Sequence, residues 1–281
     1  MGVNHYENFP VASVLCPPRW RQPISAIYAF ARTADDLADE GDMSPAQRRD
    51  LLAQYRQDLA SVFSGQAPST FWPEVFAGLS IAVREHHLPQ KPLEDLLNAF
   101  EYDTYNHLPG SRADLLSYSA CSANPIGRLL LHLYGVHDPA LQRLSDCICT
   151  GLQLVNFWQD LSVDLPRGRV YLPQEEAQRF GVELSKPAQL RDNPATQALV
   201  GELCTWAESL MLQGAPLALH LPGRLGWELR LVVLGGLRVL QKIRRMSYAT
   251  IRRRPVLYVS DVVWMCAQAV RYRNLFSNAI R

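Results

Sequence analysis

Residues 153–164 read QLVNFWQDLSVD, and the spacing of the polar side chains in this stretch decides the fold class. Gln153, Asn156, Asp160 and Asp164 follow one another at intervals of three, four and four residues, which places them on one face of an α-helix. Apolar residues cover the remaining faces, as in a helix that is buried on most sides. Because a buried carboxylate without a partner is costly, this polar stripe predicts a binding site.

A second acidic cluster lies nearer the N-terminus, where residues 28–40 read YAFARTADDLADE. Asp35 and Asp39 are four residues apart and therefore share a helix face with Arg32 and Tyr28, one and two turns earlier. Four of the last six residues of this stretch are acidic, although the C-terminal end of a helix favours cations. The cluster is therefore either solvated or neutralised by a partner.

The two clusters together favour a divalent metal ion. Two carboxylates about 6 Å apart repel each other by ~3 kcal/mol at an effective dielectric constant of ~20, and two facing clusters would repel more strongly. All of the side chains on offer are oxygen donors, which suit Mg²⁺ better than zinc. Mg²⁺ usually binds one or two carboxylates together with substrate phosphates, so the pattern indicates a diphosphate held through Mg²⁺ between two helices. Either cluster alone would be explained by a solvated helix face.

Length and composition limit the class of protein. The 281 residues suffice for one large domain or two small ones, and 48% of them are hydrophobic, which allows a substantial core or an apolar cavity. A net charge of +1 argues against a general nucleic-acid-binding protein. No segment resembles a signal peptide, and the most apolar stretch, Trp227–Leu240, is interrupted by charged residues. We therefore expect a cytoplasmic protein that is soluble or attached to the inner face of the membrane.

Helical periodicity extends over nearly the whole chain. It predicts helices at about 19–40, 45–63, 72–87, 92–106, 112–135, 139–165, 194–220, 224–247 and 259–277, with start signals at Ser44 and Ser111. No alternating pattern predicts a sheet, and the six cysteines have no zinc-binding spacing. We therefore expect residues 1–281 to form a single all-α domain, a helical bundle whose facing helices line a central site.

These motifs resemble those of the squalene/phytoene synthase family. The stretch 26–40 is similar to the first aspartate motif of that family, and 153–173, which ends in GRVYLP, is similar to the second. Tyr118 and the NPIGR stretch at 124–128 resemble the segment between them. The resemblance covers roughly residues 5–255. It implies the trans-isoprenyl diphosphate synthase fold, with a deep apolar cavity for long prenyl chains.

The resemblance also implies roles for individual residues. The aspartates that would bind Mg²⁺ and diphosphate are Asp35, Asp36, Asp39, Asp160 and Asp164. The residues that would line or close the diphosphate end, or take part in catalysis there, are Tyr28, Arg32, Tyr118, Gln153, Asn156, Gln159, Arg169, Tyr171 and Arg253.

Within the family, the HYENFP opening at residues 5–10 and the NFWQD form of the second motif resemble the hydroxysqualene synthases of bacterial hopanoid pathways. Such an enzyme hydrolyses presqualene diphosphate, the product of a presqualene diphosphate synthase, and a separate reductase converts hydroxysqualene to squalene. Gln159 stands where the common family pattern has arginine, and Asn8 where condensing relatives have serine. Loss of a cation weakens diphosphate binding, which fits a substrate with one diphosphate.

Two other functions stay open at this point. One is head-to-head condensation of two prenyl diphosphates to presqualene diphosphate, squalene or phytoene, and the other is a non-catalytic assembly protein on the same fold. The five aspartates argue against the latter. No GxGxxG follows a predicted strand, so a nicotinamide site is not predicted, and Gly235-Gly236 indicates close helix packing.

The basic C-terminal part of the chain has two interpretations. Its residues are Arg238, Lys242, Arg244, Arg245, Arg252, Arg253 and Arg254. They form either a solvated helix face or a surface that attracts anionic lipid, at about 1 kcal/mol per basic residue. The second interpretation predicts a peripheral membrane contact.

Overall fold

The computed structural model describes residues 16–276, and the regular structure in that range is entirely helical. The helices are α1 (Pro18–Asp39), α2 (Pro45–Ser64), α3 (Pro73–His86), α4 (Gln90–Asp103), α5 (Arg112–Ser122), α6 (Asn124–Leu133), α7 (Pro139–Gln159), α8 (Leu161–Asp164), α9 (Gln174–Arg179), α10 (Pro194–Gly214), α11 (Leu217–His220), α12 (Gly223–Arg245), α13 (Val259–Val270) and α14 (Tyr272–Phe276). Short 3₁₀ turns lie at 165–167 and 187–189. The predicted all-α fold is confirmed. Over this range, no helix is long and apolar enough to cross a membrane.

Both predicted helix start signals are confirmed. Ser44 Oγ accepts the N–H of Gln47 at 3.4 Å, and Gln47 Oε1 accepts the N–H of Ser44 at 2.9 Å. At the start of α5, Asp114 Oδ2 accepts the N–H of Ser111 at 3.0 Å. These bonds satisfy N–H groups that have no partner within the helix, which fixes where α2 and α5 begin.

Three predicted helices are interrupted, so their predicted lengths were wrong. The predicted helix at 112–135 breaks between α5 and α6 at Asn124-Pro125, because proline lacks an N–H and clashes with the preceding turn. Pro216 likewise separates α10 from α11. The predicted helix at 139–165 ends at Gln159, and Asp160 has φ −101° and ψ 11° before α8 begins. The polar stripe of the second motif therefore continues across a helix end.

The hydrophobic core fixes the relative positions of α1 and α7. Helix α7 packs against α5, α6, α10 and α12, and its Trp158 is fully buried among residues of α10 and α12. Helix α1 packs against α2, α3 and α4, where Phe30, Tyr55 and Phe76 form an aromatic cluster. The helices α11 to α14 form a third cluster that includes Tyr272. Since α1 and α7 carry the two acidic motifs, this packing determines where those motifs meet.

Glycine allows the helices beside the site to approach closely, as predicted for Gly235-Gly236. A Cβ at Gly236 of α12 would lie 2.8 Å from Met211 Cε and 2.9 Å from Leu152 Cδ2. A Cβ at Gly151 of α7 would lie 2.9 Å from Met211 Sδ. Helices α7, α10 and α12 therefore converge around Met211, and a side chain at Gly151 or Gly236 would force Met211 or Leu152 to shift.

Candidate active site

One large cavity lies between the helices that carry the two acidic motifs. Its volume is about 2080 Å³, which exceeds the ~300–1,000 Å³ of most small-molecule pockets. Carboxylates and arginines line part of it, and apolar side chains from four helices line the rest: Leu115, Ile126, Leu152, Val155, Phe157 and Val239. Such a cavity has room for a long apolar chain with a charged head group.

Three helices place a carboxylate near their C-terminal ends in this cavity. Helix α1 ends at Asp39, α4 ends at Asp103, and Asp160 is the residue that directly follows α7. All three residues line the cavity. The C-terminal end of a helix carries a partial negative charge, so three carboxylates at three such ends create a strongly negative region. This arrangement favours a bound cation.

Arginine side chains partly neutralise the first acidic cluster. Arg32 lies 3.0 Å from Asp35, 2.5 Å from Asp36 and 3.0 Å from Glu40, measured between nitrogen and oxygen. Arg169, near the end of the second motif, forms an ion pair with Asp39. The two motifs are therefore linked directly across the cavity.

The second acidic cluster is neutralised by an arginine from a distant part of the chain. Arg254 Nε forms an ion pair with Asp160, and Arg254 Nη2 lies 3.3 Å from the other carboxylate oxygen. Both side chains are about 15% exposed. The buried Gln159 donates from Nε2 to the carbonyl oxygen of Pro255 at 2.7 Å. Gln159 thus ties the end of α7 to the segment that carries Arg254.

Burial raises the pKa of three carboxyl groups in the cavity. Burial, and secondarily the charge of Asp160, raises the pKa of Asp164 to about 7. Burial also raises the pKa of Asp103 to about 7, assisted by Asp35 and opposed by a hydrogen bond from Tyr118. Burial likewise raises the pKa of Asp35, with Arg32 opposing it. The cavity therefore holds more acidic groups than its arginines neutralise.

An aromatic wall adjoins the acidic region. The rings of Phe157 and Tyr171 are stacked, with centroids 3.9 Å apart and planes 10° apart. The Tyr118 ring lies 6.1 Å from that of Tyr171, and its hydroxyl donates to Asp103 Oδ2 at 2.8 Å. Burial raises the pKa of both tyrosines, so they are neutral hydrogen-bond donors at physiological pH.

The structure brings most of the predicted site residues into one cavity. Those that line it are Arg32, Asp35, Asp39, Tyr118, Gln153, Asn156, Asp160, Asp164, Arg169 and Tyr171. Asp36 contacts Arg32 and does not line the cavity, and the half-buried Tyr28 lies one turn before Arg32 on α1. The opening at residues 5–10, with Asn8, lies outside the described residues.

Two predicted residues have positions that differ from the prediction. Gln159 is fully buried against Pro255 and does not reach the cavity. Arg253 is exposed, whereas its neighbour Arg254 lines the cavity. Arg253 and Arg254 follow the end of α12 in a non-helical segment, where adjacent side chains point in different directions. Helical spacing therefore cannot indicate which arginine faces inward.

Sequence reasoning did not identify Asp103 or Arg254. Asp103 carries the same signal as the first cluster, because Glu101 and Asp103 are acidic residues in the last turn of a helix without a basic residue there. Arg254 carries no local signal, since its partner is 94 residues away.

The donor set fits Mg²⁺ that binds together with a diphosphate. Within residues 16–276, no group of three or more His, Cys, Asp or Glu side chains is arranged as a complete metal site. Mg²⁺ usually takes one or two carboxylates from the protein and further oxygens from substrate phosphates and water. Asp35, Asp39, Asp160 and Asp164 supply carboxylate oxygens from both sides of the cavity.

An all-α bundle with aspartates from two helices at one end of a large, partly apolar cavity has the architecture of enzymes that act on prenyl diphosphates. The chain belongs to the squalene/phytoene synthase family, which matches residues 3–260.

Two relatives and one solved structure are similar to most of this chain. The chain is 33% identical over 228 residues to the hydroxysqualene synthase of Rhodopseudomonas palustris, covering 80% of this chain and 75% of that protein. It is 27% identical over 203 residues to the presqualene diphosphate synthase of the same organism, covering 72% and 71% respectively. The crystal structure of squalene synthase HpnC from Alicyclobacillus acidocaldarius superposes with a TM-score of 0.79 at 35% identity, covering 87% of this chain and 90% of that one.

Proposed function

We propose that this protein is a hydroxysqualene synthase, which converts presqualene diphosphate and water to hydroxysqualene and diphosphate with the help of Mg²⁺. The observation that carries the proposal is the meeting of three acidic helix ends, at Asp39, Asp103 and Asp160, in one large cavity that also has apolar walls. The higher identity to a hydroxysqualene synthase than to a presqualene diphosphate synthase of the same organism supports this choice of reaction.

The diphosphate would bind between the two acidic motifs. Asp35, Asp39, Asp160 and Asp164 would hold Mg²⁺, which neutralises the charge that develops on the leaving diphosphate. Arg169 and Arg32 line the same region and would interact with phosphate oxygens. These contacts favour cleavage of the carbon–oxygen bond, because they stabilise the departing anion. Asp36 and Tyr28 would act through their positions beside Arg32.

The carbocation that remains would rearrange in the apolar part of the cavity. Phe157 and Tyr171 form a wall that shields it from bulk water. Gln153, Asn156 and Tyr171 all line the cavity and can each hold the water that attacks after rearrangement. The water oxygen becomes the alcohol oxygen, and its proton is released to solvent.

Gln159 would influence the reaction indirectly. It binds Pro255 and so holds the segment from which Arg254 reaches Asp160. A hydrophobic or cationic residue at this position would change where Arg254 lies. Arg254, instead of Arg253, would then be the C-terminal arginine that acts at the diphosphate end.

The wider context follows from this chemistry. A presqualene diphosphate synthase would supply the substrate, and a hydroxysqualene reductase of hopanoid biosynthesis would consume the product. We also propose that residues 1–281 act as one domain, because α7 contributes residues to two of the three hydrophobic clusters. The very apolar product favours a location at the inner face of the cytoplasmic membrane.

The test is to incubate the purified protein separately with presqualene diphosphate and with farnesyl diphosphate, in the presence of Mg²⁺ and without NADPH. We expect hydroxysqualene from the first substrate and no product from the second. Presqualene diphosphate or phytoene from farnesyl diphosphate would instead support condensation. Folded protein that turns over neither substrate would support a non-catalytic role.

A further inference from the structure

An apolar stripe covers the outward face of α13. Val259, Val262, Val263, Cys266 and Val270 are all exposed, and the side chains of Val259, Val263 and Val270 are 65–81% accessible. The other four residues follow Val259 by three, four, seven and eleven positions, which places all five on one side of the helix. We call these five residues the valine face. Contiguous apolar patches of this kind mark interaction surfaces.

The opposite side of α13 holds the helix firmly on the bundle. Met265 and Ala269 are buried against neighbouring helices. Asp261 is buried and forms ion pairs with Arg238 and Lys242 of α12, at 2.7 and 2.5 Å. The valine face is therefore presented outward by a helix that already has a complete inner contact.

Several basic residues predicted to attract lipid form ion pairs with carboxylates of the protein. Arg238 and Lys242 bind Asp261, Arg254 binds Asp160, and Arg244 binds Glu208. If these residues bound lipid headgroups, their ion pairs within the protein would have to break. Within that group, the exposed Arg252 and Arg253 are better placed to attract lipid, together with arginines that follow α13.

These arginines lie before and after α13 in the sequence. Arg252 and Arg253 are exposed on its N-terminal side, and Arg271 and Arg273 are exposed on its C-terminal side. Between residues 251 and 276 the only acidic residue is Asp261, which is buried. The exposed surface of this segment is therefore apolar in the middle and positive at both ends, which is the pattern of a helix that lies in the plane of an anionic membrane.

The valine face is also connected to the cavity. Val256 lines the cavity and is itself 36% exposed, and Val259 follows three residues later. The exposed Tyr258 lies between them. The chain therefore passes from the cavity wall to the valine face within three residues.

We infer that the valine face and its four flanking arginines dock onto an anionic phospholipid surface. A second copy of this chain fits less well, because a two-fold contact through this face would bring equally charged rims together. The docked orientation gives an apolar product a short path from cavity to bilayer, and this last step alone rests on the proposed function. Lipid contact is thereby assigned to one face of α13 and four arginines, where the sequence had indicated only a basic C-terminal region.

The test is sedimentation of the full-length protein with vesicles of phosphatidylcholine alone and of phosphatidylcholine mixed with phosphatidylglycerol. We expect at least tenfold stronger binding to the anionic vesicles, since each basic residue near such a surface contributes about fivefold. Raised salt should weaken the binding. Equal binding to both vesicle types, or binding to neither, would overturn the inference.

Variants locate the contact. Val263→Glu and Val270→Glu should each reduce vesicle binding at least tenfold, whereas Ile81→Glu, at an exposed position on α3, should bind as the parent does. Arg271→Glu with Arg273→Glu should remove the preference for anionic lipid. Circular dichroism and melting temperature establish that the variants are folded. Wild-type binding by both valine variants would contradict the assignment.

Two further results would show that the valine face is covered by protein and not by lipid. Light scattering that shows a dimer which Val263→Glu dissociates would mean that a second copy covers it. Stronger vesicle binding after removal of residues 1–15 would mean that this segment covers it. Either result would overturn membrane docking by the intact chain. Because vesicle binding needs no substrate, its outcome is independent of the enzyme assay.

Discussion

The two acidic regions of the cavity are neutralised in different ways. At the end of α1, Arg32 binds Asp35 and Asp36 from three and four residues away on the same helix. At the end of α7, Asp160 is bound by Arg254, which lies 94 residues further along the chain. The Arg32 pairs of the first region are therefore local, although Arg169 of the second motif also reaches Asp39. The Asp160 pair exists only once the C-terminal part of the chain has folded against α7.

Because of this difference, the two regions should contribute unequally to the stability of the fold. The local ion pairs on α1 are accessible to solvent, so they are screened and contribute little to stability. The pair at α7 is shielded on both sides and depends on a segment that Gln159 holds in place. We therefore expect mutations around the second region to affect stability and activity together, and mutations of the local pairs to affect mainly activity.

The largest expected effect is loss of a carboxylate from either region. Asp35→Asn, Asp39→Asn, Asp160→Asn and Asp164→Asn should each lower kcat/KM by about 100-fold or more, because changes one shell further out already cost ~10–100-fold. EDTA should abolish the activity and Mg²⁺ should restore it. Steady-state kinetics over a range of Mg²⁺ concentrations measures both effects. Full activity in EDTA would rule out the metal role of both regions.

A smaller effect is expected when Arg254, the distant partner of Asp160, is replaced. Arg254→Gln should weaken apparent Mg²⁺ affinity by about 10–100-fold, because Asp160 loses the partner that orients it. The adjacent Arg253→Gln is the matched control and should change this affinity by less than about twofold, since its side chain is exposed. Equal effects of the two substitutions would show that Arg254 has no special role.

The comparison also shows what sequence could predict. Local signals predicted the capping boxes at Ser44 and Ser111 and the two acidic faces, because each depends on residues within one or two helical turns. That the acidic faces of α1 and α7 meet is inferred from the oxygen donors that both offer. The helix break at Pro125 follows from proline itself. The helix end at Gln159 and the choice of Arg254 over Arg253 could not be predicted, since both depend on packing between segments far apart in sequence.

Loss of the hydrogen bond from Gln159 should destabilise the fold moderately. Gln159→Leu leaves the Pro255 carbonyl without its donor in a buried position, which costs about 1–3 kcal/mol. Gln153→Leu, in the same helix but facing the cavity, should change the free energy of unfolding by less than about 1 kcal/mol. Urea denaturation compares the two. Similar losses for both variants would mean that Gln159 does not anchor the segment.

The smallest expected effect on stability comes from the local ion pairs. Arg32→Gln should lower the free energy of unfolding by less than about 1 kcal/mol, because solvent screens these half-buried pairs and pairs at these spacings contribute ~0.2–0.5 kcal/mol each. The loss should shrink further at high salt. A loss above about 2 kcal/mol would show that the first region is also a structural one.

Capture of the carbocation by water, after the diphosphate has left, can be followed by running the reaction in ¹⁸O-water. We expect presqualene diphosphate to yield hydroxysqualene with ¹⁸O in the alcohol and none in the released diphosphate, and we expect NADPH to change neither the rate nor the product. Label in the diphosphate would place the attack at phosphorus, and NADPH-dependent formation of squalene by the purified protein alone would replace water with hydride. Either result would contradict the account.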